Sequence, residues 1–384
     1  MFPGKRCRMP SLKNGEISVR LLICAGGTGG GVYPALAVHN TLRATYPDVE
    51  TLWVGGLGGM EAELVERAGI PFKTIPAAGL HGVDLIRLPG NLWSLARGVI
   101  ASRRILAEFR PDVLFFTGGY VAVPMALAAR GLPSLLFVPD IEPGLALKTL
   151  ARFASRIAIT AEESRSFFSA NAPLSVTGYP VRAELADWKK DASRRKLGLK
   201  SSLPVLLVFG GSKGAHSINL ALLEHLVHLL EEMEVIHISG QPDWEMVESS
   251  RAQLPKMLAK RYHPYPYLHN EMGAALAAAD LVVSRAGASA LGEYPFFGLP
   301  AILIPNPHAW RYQKVNAVML ARRGGALVID DTKLKSGLYL TVEKLLESPE
   351  KLENMRDAMR ALNTPQAAAR IAAHLVELGG GSRG

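Results

Sequence analysis

A glycine-rich turn, Gly-Gly-Thr-Gly-Gly-Gly at residues 26–31, follows the short apolar run 19–24. Glycines keep side chains out of the way, so this turn can bring bare backbone N–H groups against a ligand. The helix predicted from Pro34 would add the partial positive charge of its N-terminus, which favours a diphosphate. The spacing is not G-x-G-x-x-G and no acidic residue ends the second strand, so a nicotinamide cofactor is disfavoured. A turn that needs glycine only for its shape is the remaining alternative.

Two further turns in the second half carry similar chemistry. In Gly-Gly-Ser-Lys-Gly at 210–214, Ser212 and the neighbouring N–H groups suit phosphate oxygens, although the spacing is not that of an ATP-hydrolysing Walker loop. In the stretch 284–293, the N–H groups of residues 288–290 would face an anion. Glu293, about one turn further on, suits two hydroxyls of a ribose, unless its carboxylate is favoured only by the helix dipole.

The elements that must position these turns alternate between strand and helix. Predicted strands lie at 19–24, 51–54, 72–76, 112–117 and 134–138 in the first half, and at 204–209, 234–239, 281–284, 301–304 and 326–329 in the second. Such alternation predicts an α/β protein with two doubly wound Rossmann-like domains, and two helices close the chain. Because parallel sheets bind ligands at the carboxyl ends of their strands, we expect the site in a cleft between the domains.

Composition limits the classes of protein. The chain has 384 residues, of which 48% are hydrophobic, so it exceeds one hydrophobic core and two domains are expected. Its two cysteines, Cys7 and Cys24, exclude a disulfide scaffold and a four-thiolate zinc site. A net charge of +9 favours a polyanion: nucleic acid, an anionic membrane or a phosphorylated substrate. No apolar run approaches the ~20 residues of a spanning helix, and the basic start has no apolar core of a secretory signal behind it.

Several blocks occur in an order that points to one family: GGTGG at 26–30, VYPALA at 32–37, GGY at 118–120, GYPVR at 178–182, GGSKGA at 210–215, RAGAS at 285–289 and YQKVNA at 312–317. Together they resemble the MurG family of N-acetylglucosaminyltransferases, from about residue 19 to about residue 378. The resemblance implies a GT-B fold and inverting, metal-independent transfer of GlcNAc from UDP-GlcNAc to lipid I, undecaprenyl-pyrophosphoryl-MurNAc-pentapeptide. The product would be lipid II for peptidoglycan synthesis. It also implies a peripheral protein on the anionic cytoplasmic membrane face, with neither a cofactor nor nucleic acid as partner.

The resemblance also assigns site residues, each by its place in these blocks. Thr28, Gly29 and Gly30 would meet the diphosphate and the acceptor side. The family's donor-binding positions are matched by Arg182, Ser212, Leu268 (a backbone contact to uracil), Ala288, Ser289, Ala290, Leu291, Gly292, Glu293, Gln313 and Asn316. Within this set, Glu293 would hold the ribose and Gln313 the GlcNAc hydroxyls.

Two departures from the family pattern fall on the acceptor side. Gly31 stands where the family usually has His, and Pro-Asp-Ile-Glu-Pro-Gly at 139–144 replaces the block that contains His-Glu-Gln-Asn. Glu142 takes the place of the last Asn, a donor-site residue. We predict that Asp140 or Glu142 is the general base, with His81 a weaker candidate. The alternative for Asp140 is a residue that only caps the turn.

A stretch at 80–93 combines apolar residues with nearby arginines. Leu85, Ile86 and Trp93 beside Arg87 would suit an interfacial patch on an anionic membrane, and the family's lipid-facing patch lies in this region. The alternative is that these are core residues of a helix and its lead-in loop.

The predicted domains are a basic tail at 1–18, an acceptor-side and membrane-side domain at 19–182, a linker at 183–200, a UDP-sugar-binding domain at 201–362, and a closing helix with a frayed tail at 363–384. Two alternatives to the main prediction stay open. One is a related GT-B enzyme with another lipid acceptor, because the acceptor-side blocks are the altered ones. The other is a sugar-nucleotide-binding homologue with impaired turnover.

Overall fold

The computed structural model describes residues 19–26, 29–59, 61–77, 88–200, 202–307 and 312–380. The described strands form two parallel sheets, one in each half of the chain. The first sheet has the order β3-β2-β1-β4-β5-β6-β7, and its strands are β1 (Arg20–Ala25), β2 (Glu50–Gly56), β3 (Phe72–Ile75), β4 (Val113–Gly118), β5 (Ser134–Val138), β6 (Arg156–Ile159) and β7 (Leu174–Val176). The second has the order β10-β9-β8-β11-β12-β13, and its strands are β8 (Val205–Phe209), β9 (Glu234–Ile238), β10 (Tyr262–Tyr265), β11 (Leu281–Ser284), β12 (Ala301–Leu303) and β13 (Ala326–Val328).

Helices connect these strands. Those of the first half are α1 (Gly29–Thr45), α2 (Glu61–Arg67), α3 (Leu88–Phe109), α4 (Ala122–Ala128) and α5 (Leu145–Leu150). Those that follow are α6 (Lys190–Lys196), α7 (His216–Glu224), α8 (Leu226–Glu232), α9 (Trp244–Ala252), α10 (Lys256–Ala259), α11 (Met272–Ala278), α12 (Ala290–Phe297), α13 (Tyr312–Arg322), α14 (Leu334–Leu346), α15 (Pro349–Ala361) and α16 (Ala367–Gly380). Short 3-10 helices lie at Glu162–Phe167, Ala183–Asp187, Gln241–Asp243 and Asp331–Lys333. Among the described residues, no helix is both long and apolar enough to cross a bilayer.

The central strands are buried on both faces, which is why they are continuous apolar runs. Every residue of β4 is buried, and β8 is buried at all but its last residue. A parallel sheet covered on both sides needs such sequences, and a half-solvated sheet would show alternation instead. The strands predicted from these runs are confirmed to within one or two residues.

Three strands are not predicted from the sequence: β6, β7 and β10. They have three or four residues each, too few for a clear pattern. β10 also contains Pro264, and proline in a strand is tolerated chiefly at the edge of a sheet because it cannot donate a ladder hydrogen bond. The topology places β10 at such an edge.

The stretch 183–200, predicted as a linker, contains a 3-10 helix and α6, and α6 packs against α11. Asp280 pairs there with Lys190 and, at 2.6 Å, with Arg194. This charged stretch is therefore attached to the second domain rather than freely solvated.

The closing helix α16 crosses back to the first domain. It packs on α1, β4 and β5, and its buried Ile371 and Leu375 belong to the same apolar cluster as Ile23 and Phe115. The last helix of the chain therefore packs on the first domain.

Candidate active site

The carboxyl ends of β5 and β11 meet across the boundary between the two domains, and Asn316 of α13 joins them. Its side-chain nitrogen donates to Asp140 at 2.7 Å and to the carbonyl of Ala286 at 3.2 Å. Its side-chain oxygen accepts from the N–H of Ile141 at 3.0 Å. Asn316 is fully buried, so in this arrangement its amide binds the two domains to each other rather than a sugar. Its predicted contact to GlcNAc stays a prediction.

Asp140 follows β5 at the point where acceptor chemistry was predicted. Burial raises the pKa of this carboxyl to about 6, although the hydrogen bond from Asn316 acts in the opposite direction. Burial raises the pKa of Tyr312 at the start of α13, and the charge of Asp140 raises it further. A carboxylate that titrates close to neutral pH suits a general base.

Glu142, the other predicted base, is placed differently. Its side chain is 1% exposed, and its carboxylate lies 3.4 Å from the ammonium of Lys148 in α5. A base must come within hydrogen-bond distance of the hydroxyl that it deprotonates. The structure gives Glu142 a buried position paired with Lys148, which favours Asp140 as the base, and the predicted roles of Glu142 as base and donor ligand stay predictions.

Arg182 and Glu293, both predicted to bind the donor, are brought together from opposite sides of the domain boundary. The guanidinium lies 3.6 Å from the Glu293 carboxylate. Burial raises the pKa of Glu293, and Arg182 partly offsets this by favouring the charged form. The other face of the guanidinium lies over the ring of Tyr33, 4.7 Å from its centroid.

Tyr33 extends this cluster across the boundary. It lies in α1 of the first domain, and its pKa is raised by burial and then by Tyr267, which follows β10 in the second. Neither residue was predicted from the sequence to belong to the site. Tyr33 stands two residues after the first glycine turn, and that position was the available signal.

The predicted anion-binding stretch lies at the start of α12. Ser289 precedes the helix, whereas Ala290, Leu291 and Gly292 are buried in its first turn. Ala288 packs with the first-domain cluster that contains Phe137. The N–H of Ala290 donates to the Gly287 carbonyl at 3.1 Å. The expectation that this N–H faces an anion is therefore corrected, since it closes the turn before the helix.

The second glycine turn connects β8 to α7 and leaves Ser212 exposed. Gly214 has φ +77, and a Cβ there would lie 2.0 Å from the Ser239 carbonyl oxygen, so only glycine lets this turn pack against the end of β9.

Leu268 is partly buried against the second domain's core. Gln313, in the first turn of α13, accepts from the N–H of Asn306 at 2.9 Å through its side-chain oxygen. That bond fixes its carboxamide near the end of β12.

In the first glycine turn, Gly29 and Gly30 begin α1, whereas Thr28 lies outside the described residues. Gly31 is buried, and its carbonyl accepts from the Thr117 hydroxyl at 2.7 Å. A Cβ at Gly31 would lie 3.2 Å from the Thr117 carbonyl oxygen. The missing imidazole therefore coincides with a close contact between α1 and β4.

The predicted membrane patch is only partly described: Leu85, Ile86, Arg87 and the weaker base candidate His81 fall outside the described residues. Trp93 lies on α3 and is 69% exposed. Ile100 of the same helix is 53% exposed, and Arg97 and Arg104 are also exposed. The spacing of these residues, 93, 97, 100 and 104, puts them on one helix face. For Trp93, the alternative of a core residue is wrong.

Two Rossmann-like domains whose strand ends face each other, with the Arg182–Glu293 pair and Asp140 at their boundary, have the architecture of the GT-B fold. The family model described as "Glycosyltransferase family 28 N-terminal domain" matches residues 21–159, and that of the "C-terminal domain" matches residues 205–371. The chain belongs to glycosyltransferase family 28 and, within it, to the MurG family of N-acetylglucosaminyltransferases. The predicted family and fold are thereby confirmed.

Relatives and solved structures agree. A UDP-N-acetylglucosamine--N-acetylmuramyl-(pentapeptide) pyrophosphoryl-undecaprenol N-acetylglucosamine transferase of Roseiflexus sp. is 39% identical, covering 96% of this chain and 97% of its own. The enzyme of the same name from Desulforudis audaxviator is 40% identical, covering 91% and 95%. The crystal structure of Acinetobacter baumannii MurG superposes with a TM-score of 0.72 at 26% identity, covering 94% of this chain and 99% of that one. A UDP-GlcNAc 2-epimerase from Neisseria meningitidis, at 14% identity and TM-score 0.66, covers 94% and 100% and shares the fold.

Proposed function

We propose that this chain transfers GlcNAc from UDP-GlcNAc to lipid I, undecaprenyl-pyrophosphoryl-MurNAc-pentapeptide, and so forms lipid II for peptidoglycan synthesis. The relatives from Roseiflexus sp. and Desulforudis audaxviator are named for this activity. The similarity to them covers nearly their whole length. One structural observation carries the proposal furthest. A glutamate suited to the ribose, Glu293, and a carboxylate suited to the acceptor hydroxyl, Asp140, are both held at the domain boundary by residues of the opposite domain, Arg182 and Asn316.

The donor binds mainly to the second domain. Glu293 accepts from the ribose hydroxyls, Ser212 and the turn around it hold the phosphate, and the backbone near Leu268 contacts uracil. Gln313 contacts the GlcNAc hydroxyls through its side-chain nitrogen, because its oxygen is already bonded to Asn306. The leaving UDP is stabilised by Arg182 and backbone N–H groups, so the transfer is proposed to run without a metal.

The reaction proceeds by a single displacement that inverts the sugar carbon. The acceptor hydroxyl of lipid I attacks that carbon as the bond to the diphosphate breaks, and Asp140 takes the hydroxyl proton. A carboxyl with a pKa of about 6 is largely unprotonated at neutral pH and remains a usable base. Contact between the two domains, such as the hydrogen bonds of Asn316 to Asp140 and Ile141, helps to exclude water from the reacting centre.

The protein meets its lipid substrate as a peripheral protein on the anionic cytoplasmic face of the membrane. One exposed face of α3 carries the apolar side chains of Trp93 and Ile100 together with the arginines Arg97 and Arg104. Apolar and aromatic side chains enter the interface while the arginines contact anionic head groups.

The test is turnover of radiolabelled UDP-GlcNAc with purified lipid I, with product identified as lipid II. A parallel panel of other lipid acceptors tests the alternative of a different lipid substrate. Donor binding without transfer to any acceptor would instead support a homologue with impaired turnover. Failure of the wild-type chain to bind UDP-GlcNAc would reject all three interpretations.

A further inference from the structure

Two buried hydrogen-bond donors near the Arg182–Glu293 pair make no hydrogen bond in the described structure. They are the hydroxyl of Tyr179 and the Nε of Arg182. Both belong to the segment that runs from Gly178 to Arg182 and connects the end of the first sheet to the stretch before α6. A buried donor without a partner is costly, so such groups are rare unless a ligand or water completes them.

The ring of Tyr179 is held firmly, and this fixes the direction of its hydroxyl. Tyr179 is 3% exposed and packs edge-to-face on Phe137, with ring centroids 6.1 Å apart. On another side it lies so close to α12 that a Cβ on Gly292 would be 2.3 Å from its ring. A phenol packed between β5 and α12 reaches into the junction of the two domains.

Three charged residues near Tyr179 act on its pKa. Burial raises the pKa of Tyr179 well above its ordinary value, the carboxylates of Glu293 and Asp140 raise it further, and Arg182 lowers it. The hydroxyl therefore stays protonated, and its ring packs between β5, which Asp140 follows, and α12, which carries Glu293. In a nucleotide sugar, the diphosphate is the part between the ribose and the reacting sugar carbon.

We infer that Tyr179 is a further donor-site residue, whose hydroxyl, together with Arg182 Nε, donates a hydrogen bond to an oxygen of the UDP diphosphate. A diphosphate oxygen only accepts hydrogen bonds, the guanidinium Nε–H only donates, and the protonated Tyr179 hydroxyl has a hydrogen to donate, so the ligand completes both. The ring of Tyr33 covers the Arg182 guanidinium in the present arrangement. Either this ring or one domain relative to the other must move to admit the ligand. The inference rests on the proposed function, because it assumes a UDP-sugar at this junction.

The experiment compares Tyr179→Phe with the wild-type full chain by calorimetric titration with UDP and with uridine. Phenylalanine keeps the packed ring and removes one oxygen that makes no hydrogen bond, so the ligand-free Tm is expected to stay the same or rise. The Kd for UDP is expected to increase about tenfold, the usual size for a hydrogen bond to a charged group. The Kd for uridine, which has no diphosphate, is expected to change less than twofold.

Tyr294→Phe is the matched control. Tyr294 is a buried tyrosine of α12, the helix on which Tyr179 packs. Its hydroxyl, unlike that of Tyr179, forms a hydrogen bond with the Ser284 hydroxyl at 2.6 Å. This control is expected to lower Tm and to leave the ratio of the UDP and uridine affinities unchanged.

The outcomes separate the inference from the function on which it rests. An unchanged ratio of UDP to uridine affinity in Tyr179→Phe overturns the role of Tyr179 and leaves the proposed function standing. A wild-type chain that binds neither UDP nor UDP-GlcNAc overturns the proposed function itself. A fall in Tm for Tyr179→Phe with equal weakening of both ligands assigns the hydroxyl a purely structural role, and this also rejects the inference.

Discussion

The side-chain amide of Asn316 donates to the carboxylate of Asp140 at 2.7 Å, across the boundary between the two domains. The same amide accepts from the backbone N–H next to Asp140, so it fixes both the carboxylate and the loop that carries it. A residue predicted to bind sugar and a residue predicted to act as base are thus one structural unit. A substitution at Asn316 should therefore alter the pKa of Asp140.

Asn316→Ala is expected to shift the acid limb of the pH profile of kcat/KM to higher pH. The hydrogen bond from Asn316 lowers the pKa of Asp140, so its loss lets burial raise that pKa above about 6. Activity requires the unprotonated carboxylate and is lost as the pH falls through this pKa. Asn316→Asp should move the limb further, since it adds a like charge. An acid limb at the wild-type pH in both variants would contradict the coupling.

The same substitution should also loosen the contact between the domains. Asn316→Ala leaves the N–H of Ile141 and the carbonyl of Ala286 without this partner, at a cost of about 1–3 kcal/mol for each buried group. A lower Tm, measured without ligand, is the expected result. An unchanged Tm would mean that the loop finds other partners.

Asp140→Asn is expected to lower turnover with lipid I by about 100-fold or more, the usual contribution of a general base, and to abolish the acid limb. Binding of UDP-GlcNAc should change little, because the proposed donor ligands lie mainly on the second domain. Glu142→Gln is the matched comparison: it is expected to affect mainly stability, since this carboxylate is buried beside Lys148. Near-normal turnover in Asp140→Asn would remove Asp140 from the mechanism.

Glu293→Ala is expected to weaken UDP-GlcNAc binding by about tenfold or more, because two hydrogen bonds to a charged group are lost. The discriminating measurement uses the 2′-deoxy analogue of UDP. Wild type should bind it less tightly than UDP, and Glu293→Ala should bind both equally. If Glu293→Ala instead weakens UDP and its 2′-deoxy analogue by the same factor, so that the preference for UDP remains, Glu293 does not contact the ribose.

Trp93→Ser combined with Ile100→Ser is expected to reduce sedimentation with anionic vesicles. Both side chains are more than half exposed on α3, so their removal should cost membrane affinity without unfolding the protein. Leu340→Ser is the control, since Leu340 is 49% exposed on α14 of the second domain. If the control lowers vesicle binding equally, or the double variant binds normally, α3 is not the membrane face.

Gly31→His is expected to lower Tm without raising turnover. A Cβ at this position would press on the Thr117 carbonyl, and overpacking of this kind typically costs about 1–3 kcal/mol. Gly90→Ala, at the start of α3, is the comparison, because an added Cβ there would meet no atom within 4 Å. A gain in turnover with lipid I in Gly31→His would show that an imidazole can act from this position after all.

Much of the fold could be predicted from the sequence because its signals are local. An apolar run such as β4 or β8 must be buried on both faces, and a glycine turn with a helix behind it must lie at the carboxyl end of a strand. These facts give two parallel sheets and the approximate place of the donor site. They also select Arg182 and Glu293, which the structure then pairs.

The tertiary structure decided what depends on residues far apart in the chain. Asn316 and Ile141 are separated by 175 positions, and no local pattern indicates that one would bond the other. Glu142 is as polar as Asp140 and stands two positions away, yet only packing shows that it is buried beside Lys148. The orientation of Tyr179 likewise follows from Phe137 and Gly292, which lie on different domains. Local sequence sets what each segment can form, whereas the direction of a side chain is set by whichever distant segment packs against it.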